Sequence, residues 1–246
     1  TGGSDVQQDH EGTDRIVRIG GRYERITVRA QSRKVVVEEL LETIGGTRAP
    51  ANIDLLPTFV ESATNDIMVE IDREIIQTLR QHAIGGYAEW DAVPPAGISL
   101  VEHTRDLILA ISTVSQQIFQ RSMIREANWI LTSPKVAARL SALAGFRRTD
   151  NDDYTGTIAF SRVGVLESKW KVFVDPLFPD NEILVGFVDH LKPTNAGCIY
   201  SPYIPMDVSQ ALVLPQVTKV FQTIRSRYAI TMIRPEFYGI VRVKNL

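Results

Sequence analysis

One apolar stripe between Pro57 and about Ile84 restricts what this chain can fold into more than any other feature of its sequence. Its apolar side chains recur at steps of three and four residues, which is the spacing of one face of an α-helix. Pro57 suits the first position of that helix, and Gly85-Gly86 suits a left-handed C-terminal cap. At about 1.5 Å per residue such a helix is ~42 Å long, which is unusual in a globular domain. The stripe consists of Val60, Ala63, Ile67, Ile71, Ile75 and Leu79.

A second helix is predicted from about Leu100 or Thr104 to Met123. Ser99 and Glu102 have the spacing of a capping box, in which side chains satisfy the free backbone N–H groups of the first turn. The apolar stripe expected to face the core contains Leu107, Ile108, Ile111, Val114, Ile118 and Phe119.

The second half of the chain predicts mostly β-strands, so an α+β fold is expected. The run NWILTS is typical of a buried strand, and Ser133 with Pro134 begins a third helix that Gly145 ends. Pro202 and Pro205 restrict the strand around them to a sheet edge or an irregular course. Strands are predicted within 158–166, 169–175, 182–189, 196–206, 219–233 and 238–246.

The N-terminal part has a different character. Residues 1–14 contain almost no large apolar side chains and predict an extended or poorly ordered arm. Residues 15–34 alternate apolar and polar side chains around Gly20-Gly21 and predict a β-hairpin, and residues 35–46 predict a short helix.

The predicted hairpin is strongly basic, because Glu24 alone opposes six arginines and a lysine between residues 15 and 34. Its charges fit a strand edge that avoids aggregation, or an arm laid over an acidic patch of a neighbouring subunit. DNA binding is a weaker third interpretation. The basic residues are Arg15, Arg18, Arg22, Arg25, Arg29, Arg33 and Lys34.

The overall charge balance limits the classes of partner. With 27 Lys+Arg against 29 Asp+Glu the formal net charge is −2, which argues against a domain that grips nucleic acid. A near-neutral chain can still line a container for DNA. No stretch approaches the roughly 20 apolar residues of a membrane span, so no membrane partner is expected.

No constellation of residues predicts catalysis, a metal site or a cofactor. The single cysteine, Cys198, lies in an apolar strand and is predicted to be buried and structural. Loop 147–157 carries Asp150, Asp152 and Asp153 without the oxygen spacing of a calcium loop, so it is read as a solvated loop. Nucleophile elbows, phosphate-binding loops and dinucleotide fingerprints are missing from the sequence. None of the histidines has metal-ligand spacing; they are His10, His82, His103 and His190.

Five segments, in order along the chain, resemble the major capsid proteins of T-even-like myoviruses, which have the Hong Kong 97-type capsid fold. NDIMVEIDREIIQTL (65–79) resembles the spine helix of that family, and ANWILTSPKVAARLSAL (127–143) resembles a segment of its axial lobe. KVFVDPLFPDNEILVGF (171–187) and GCIYSPYIPM (197–206) resemble the next strands of the family, and RSRYAITMI (225–233) resembles its return strand. The resemblance implies an α+β fold with a long spine helix, a peripheral lobe, an axial lobe and an extended N-terminal arm and loop.

The resemblance also implies a division of the chain. The expected regions are an N-terminal arm and extended loop (1–50), a peripheral domain with the spine helix (51–125), an axial domain (126–214) and return strands of the peripheral domain (215–246).

The function implied by the resemblance is structural, with no enzymatic activity. Copies of the chain are expected to form hexamers and pentamers of an icosahedral shell, in a virion capsid assembled in the host cytoplasm, around double-stranded DNA contacted non-specifically. Further implied partners are cement or decoration, vertex, portal and scaffold proteins. A vertex protein that forms only pentamers, a nanocompartment shell, and an α+β enzyme with an unrecognised site stay open as alternatives. The residues expected at subunit contacts are Arg15, Arg18, Arg22, Arg25, Arg29 and Arg33.

Overall fold

The computed structural model describes residues 29–40, 55–149, 160–189, 192, 195–214 and 219–246. Three α-helices lie in these ranges: α1 (Leu55–Gln81), α2 (Leu100–Ser122) and α3 (Pro134–Ser141). A short 3-10 helix spans Pro235–Phe237. The strands are β1 (Gln31–Leu40), β2 (Gly86–Asp91), β3 (Trp129–Thr132), β4 (Phe146–Arg148), β5 (Ser161–Leu166), β6 (Trp170–Val174), β7 (Glu182–Gly186), β8 (Cys198–Val208), β9 (Leu212–Leu214), β10 (Lys219–Met232) and β11 (Tyr238–Lys244).

The described strands form two sheets. The long-strand sheet has the order β1-β10-β8, with β9 also paired to β10, and all of its pairs are antiparallel. The seven-stranded sheet has the order β2-β11-β7-β3-β6-β5-β4 and mixes parallel with antiparallel pairs. The predicted α+β fold is therefore confirmed.

Each sheet has its own buried cluster. Helix α1 packs on the long-strand sheet, where Ile67 and Ile71 meet Ile224 and Tyr228. Helix α2 packs on the seven-stranded sheet and contributes fully buried side chains to a much larger core. These α2 side chains are Leu107, Ile111, Val114 and Ile118.

The long helix is confirmed, with two corrections at its ends. It begins at Leu55, so Pro57 is its third residue rather than its first. It ends at Gln81, and Gly85-Gly86 do not cap it. Gly85 N donates to Tyr238 O at 2.6 Å, and a Cβ at Gly85 would lie 2.1 Å from Glu236 O. The missing side chain at Gly85 therefore allows close approach of two backbone segments.

The second helix matches its prediction at both ends. Ser99 is the N-cap and its side chain accepts from Glu102 N at 3.3 Å. Met123 is left-handed at φ 54°, and its N–H donates to Phe119 O at 2.8 Å. One member of the predicted stripe is wrong, because Phe119 is 45% exposed instead of facing the core.

The strands predicted in the second half are confirmed, and β8 lies at a sheet edge as Pro202 and Pro205 indicated. Strands β2, β4 and β9 were not predicted. Residues 147 and 148 of the predicted loop belong to β4, and 150–159, with Asp150, Asp152 and Asp153, lie outside the described residues. Helix α3 ends at Ser141, before Gly145.

The predicted short helix over 35–46 is wrong in its described part. Residues 31–40 form β1, whose consecutive valines favour an extended strand and which pairs along its whole length with β10. Residues 41–46, and 15–28 of the predicted hairpin, lie outside the described residues.

The division into domains stays a prediction, and the strand pairing bears on where its boundaries fall. Strands β2 and β11 belong to the same sheet as β3 and β7, and β8 pairs with β10. None of the helices in the described ranges is long and apolar enough to cross a membrane.

Candidate assembly surface

Arg33 of β1 joins three elements through its guanidinium. Its Nη1 lies 2.7 Å from Glu70 Oε2 and its Nη2 lies 2.7 Å from Glu74 Oε2, both on α1. Its Nε donates to the hydroxyl of Tyr228 on β10, and that hydroxyl donates to Glu74. These four residues are called the Arg33 cluster below.

The local sequence explains why these side chains meet. Glu70 and Glu74 are four residues apart and so share one face of α1. In β1, Arg33 lies opposite Ser226 and Gln31 opposite Tyr228, so the arginine and the tyrosine are diagonal neighbours across the β1–β10 pair. The residue Tyr228 is only 1% exposed.

The contacts of the cluster favour one protonation state for each of Arg33, Glu74 and Tyr228. Burial, followed by the hydrogen bond to Glu74, raises the pKa of Tyr228 to about 12. Burial acts to raise the pKa of Glu74, but hydrogen bonds from Tyr228 and Arg33 outweigh it and lower that pKa. The hydrogen bond to Glu74, then that to Tyr228, raises the pKa of Arg33. At neutral pH the cluster therefore holds a cation, an ionised carboxylate and a neutral phenol.

The chemistry of this cluster is structural. It fixes β1 against α1 through charge-assisted hydrogen bonds, which are stronger than neutral ones. The predicted contact of Arg33 with a neighbouring subunit stays a prediction, since the observed partners belong to its own chain. Arg29 is exposed, and Arg15, Arg18, Arg22 and Arg25 lie outside the described residues.

Two acidic side chains on α1 remain exposed beside the Arg33 cluster. Glu61 and Asp66 lie on the solvent side of the helix, whereas Glu70 and Glu74 are bound by Arg33. The exposed part of α1 therefore presents carboxylates to any cationic segment that approaches it.

Exposed apolar side chains form a separate patch at each end of α2. Val93, Ile98 and Leu100 are 56%, 43% and 52% exposed before and at the start of the helix. Phe119 and Met123 are 45% and 86% exposed at its end. The sequence signal for the first of these patches is residues 92–101, which carry no charged side chain.

Reactive groups are not brought together in the described ranges, where no set of three or more His, Cys, Asp or Glu could hold a metal ion. Cys198 is half-buried at the start of β8, and burial raises the pKa of its thiol, which disfavours the thiolate. His103 is buried, stacks on Trp90 with ring centroids 5.2 Å apart, and has its Nε2 2.6 Å from Asp91 O. His82 is exposed, and His10 and His190 lie outside the described residues.

Solved structures with this arrangement of helix and sheets define the class of the fold. The capsid of Myoviridae phage XM1 superposes with a TM-score of 0.55 at 8% identity, covering 88% of this chain and 74% of that one. A chain of Mycobacterium phage Bobi gives 0.58 at 13% identity, covering 89% and 73%. The holo-SrpI encapsulin complex of Synechococcus elongatus PCC 7942 gives 0.54 at 11% identity, covering 87% and 73%. The chain has the α+β fold of Hong Kong 97-type phage capsid and encapsulin shells.

The sequence places the chain within this class. The family model described as "Major capsid protein Gp23" matches residues 1–245, and the chain belongs to that family. The major capsid protein of Vibrio phage KVP40 is 26% identical over 207 residues, covering 75% of this chain and 40% of the relative. That of Enterobacteria phage T6 is 22% identical over 211 residues, covering 76% and 41%. The chain spans about two fifths of the length of the curated relatives it matches.

Proposed function

We propose that this chain is a structural subunit of a tailed-phage capsid, in which copies assemble into hexamers and pentamers of an icosahedral shell around double-stranded DNA. The observation that carries the proposal is the match of the capsid family model to residues 1–245. The fold supports it, because solved shells of phages share the arrangement. The role is mechanical, and cement, vertex, portal and scaffold proteins are its further proposed partners.

Solution size tests the proposal directly. Purified full-length protein at micromolar concentration should sediment as rings or shells, and electron microscopy should show hollow particles. A stable monomer under the same conditions contradicts the proposal. Particles from infected cells should contain nuclease-protected DNA and lie in the virion. Assemblies of pentamers alone would favour the vertex-protein alternative.

The likeness to an encapsulin favours a second candidate, a shell that encloses something other than a genome. The two candidates differ in content. Double-stranded DNA inside native particles supports the capsid, whereas particles that enclose only protein support the second candidate.

The basic N-terminal residues are the proposed contacts with a neighbouring subunit. Arg33 already binds two carboxylates of α1 in its own chain, and Glu61 and Asp66 leave further carboxylates exposed on the same helix. The complementary charge of Arg15, Arg18, Arg22, Arg25 and Arg29 supports their contact with an acidic surface of the next copy.

Charge reversal tests this contact. Replacing Arg22, Arg25 and Arg29 together by Glu should reduce particle yield while leaving the circular dichroism spectrum of the subunit unchanged. Arg162→Glu, at an exposed position of β5, is the control with the same change of charge at one site. An unchanged particle yield for the triple variant would remove the proposed role of these arginines.

A further inference from the structure

The loop between β2 and α2 is exposed and apolar. Residues 92–101 contain no charged side chain. Val93, Ile98 and Leu100 are all more than two fifths exposed. Ile98 N donates to Pro95 O at 3.2 Å, and Gly97 takes a positive φ of 90°, so a tight turn shapes the projection. Residues 93–100 are called the apolar tip below.

A groove opens at the other end of α2. Its volume is about 670 Å³, and it lies where the end of the helix meets the segment before β3 and the segment after β7. Its apolar walls come from Phe119, Ile124, Ala127, Phe187 and Val188. Exposed apolar surface of this kind in a folded protein marks an interaction site.

The helix between the two features keeps them apart. Helix α2 has 23 residues, so its ends are ~34 Å apart at about 1.5 Å per residue. The tip of a chain therefore cannot enter the groove of the same chain. A contact between unlike surfaces of two copies is heterologous, and repeated contacts of this type give a ring where the rotation between copies closes and an open filament where it does not.

Charged residues beside the two features are complementary. Glu102, in the first turn of α2, is exposed next to the tip. The groove is lined by Arg125, Glu126, Lys169 and Asp189. Lys169 pairs with Glu126, and Asp189 accepts hydrogen bonds from the segment that follows it, so Arg125 is the exposed charge of the groove that these contacts leave over. Neither Glu102 nor Arg125 forms an ion pair with a residue in the described ranges. Interfaces place such charges around an apolar centre, where they fix the register of the partners.

We infer that the apolar tip of one copy inserts into the groove at the end of α2 in the next copy, with Glu102 of the first beside Arg125 of the second. The inference rests on the proposed shell function and names one of its subunit contacts. A stable interface buries about 800 Å² on each partner, which is more than a loop of eight residues covers. The contact between tip and groove is therefore one part of a larger interface between subunits.

A charge swap tests the pairing. Glu102→Arg and Arg125→Glu should each lower the yield of assembled particles about tenfold, because each places like charges together. The double variant should return to within about threefold of the wild-type yield, because the pair is restored with reversed sign. Arg162→Glu is the matched control and should assemble normally. Thermal unfolding followed by circular dichroism checks that every variant folds.

Two results would overturn the inference: single variants that assemble like the wild type, or a double variant no better than the singles. In both cases wild-type shells still form, so the proposed function stands while the contact falls. Wild-type protein that never assembles would remove the proposed function and the contact together.

Disulfide trapping tests the geometry independently. The background is Cys198→Ala, which leaves the chain without a thiol. Ile98→Cys with Phe119→Cys should then give, on mild oxidation of assembled protein, a ladder of chains linked head to tail. Ile98→Cys with the exposed Ser161→Cys is the control and should give no ladder. Dimers alone would indicate a symmetric contact between two tips and would contradict the inference. Chains that stay unlinked would also contradict it.

Discussion

At the scale of single residues, the Arg33 cluster shows how a buried tyrosine can hold an exposed strand. The hydroxyl of Tyr228 accepts from Arg33 and donates to Glu74, so removing either partner leaves a polar group with an unmade hydrogen bond. Arg33 itself is about one third exposed, and solvent screening limits what its ion pairs contribute. The hydroxyl of Tyr228 should therefore contribute more to the stability of the fold than the exposed ion pair between Arg33 and Glu70.

We expect Tyr228→Phe to lower the free energy of unfolding by about 1–2 kcal/mol, and Arg33→Ala by a similar amount. The double variant should lose less than the sum, with a coupling energy of at least ~0.5 kcal/mol, because the side chains share partners. Urea denaturation of unassembled subunits measures all three. Tyr203→Phe, at an exposed position, is the control. Strict additivity would show that the two side chains act independently.

The lowered pKa of Glu74 predicts a loss of stability in acid. A carboxyl whose pKa is lower in the folded chain stabilises it above the ordinary glutamate pKa of about 4.3, and this contribution disappears as the pH falls through the folded value. Arg33 stays charged throughout. Glu74→Gln should therefore lose stability at pH 7 and depend less on pH below about 4.3 than the wild type. Urea denaturation at pH 7 and at a pH below about 4.3 measures both effects, and Glu61→Gln is the control. Stability that falls with pH equally in Glu74→Gln and in the wild type would contradict the prediction.

At the scale of elements, local signals were sufficient for the helices. The stripe of α1 and the Ser99 cap of α2 depend on residues a few positions apart, and both are present in the structure. The helix predicted from residue 35 onward is wrong for residues 35–40 of β1, because these residues are held in a strand by β10, about 190 positions away in the sequence. The exposure of Phe119 could not be predicted for a related reason. Apolar periodicity shows on which side of the helix a residue lies, but not whether another element packs against it there.

The candidate site could be predicted only in part. The basic character of residues 15–34 was evident from composition, and Arg33 was among the residues selected. Its partners Glu70, Glu74 and Tyr228 could not be found, because no short-range pattern links β1 to α1 and β10. The apolar tip and the groove depend on three-dimensional exposure, although the uncharged run 92–101 is a signal for the tip in the sequence.

Gly85 was predicted to cap a helix, but a long-range contact explains why this position has no side chain. A Cβ there would lie 2.1 Å from Glu236 O and 2.7 Å from Tyr238 O, and backbone atoms cannot move aside as a flexible side chain does. We expect Gly85→Ala to destabilise the subunit by about 1–3 kcal/mol. Thermal or urea unfolding measures the loss, and Ala96→Ser in the exposed loop is the control. A stability equal to that of the wild type would mean that the backbone segments at Gly85 and Glu236 leave room for a methyl group, and would contradict the prediction.

At the scale of the whole molecule, the two sheets differ in how completely the described residues cover them. Within those residues the seven-stranded sheet has a large core shared with α2, whereas the cluster between α1 and the long-strand sheet has four buried members. In the described ranges β1 and β8 form the outer edges of the long-strand sheet, and Ile199, Tyr200 and Tyr203 of β8 are exposed. A region with few buried contacts and unpaired edges opens locally more often than a large core does.

This difference predicts how assembly changes hydrogen exchange. In unassembled subunits the amides of β1 and β8 should exchange faster than those of β3 and β7, which lie inside the seven-stranded sheet. Assembly should slow exchange in β1 and β8 strongly and leave β3 and β7 nearly unchanged, because neighbouring copies would stabilise the sheet edges that the described residues leave open. Mass spectrometry of amide hydrogen exchange before and after assembly is the measurement. The double variant that carries both Glu102→Arg and Arg125→Glu is a second assembled sample. Equal slowing of all four strands would indicate that assembly stabilises the subunit globally, and no slowing at β1 and β8 would mean that the long-strand sheet is already complete in the isolated chain.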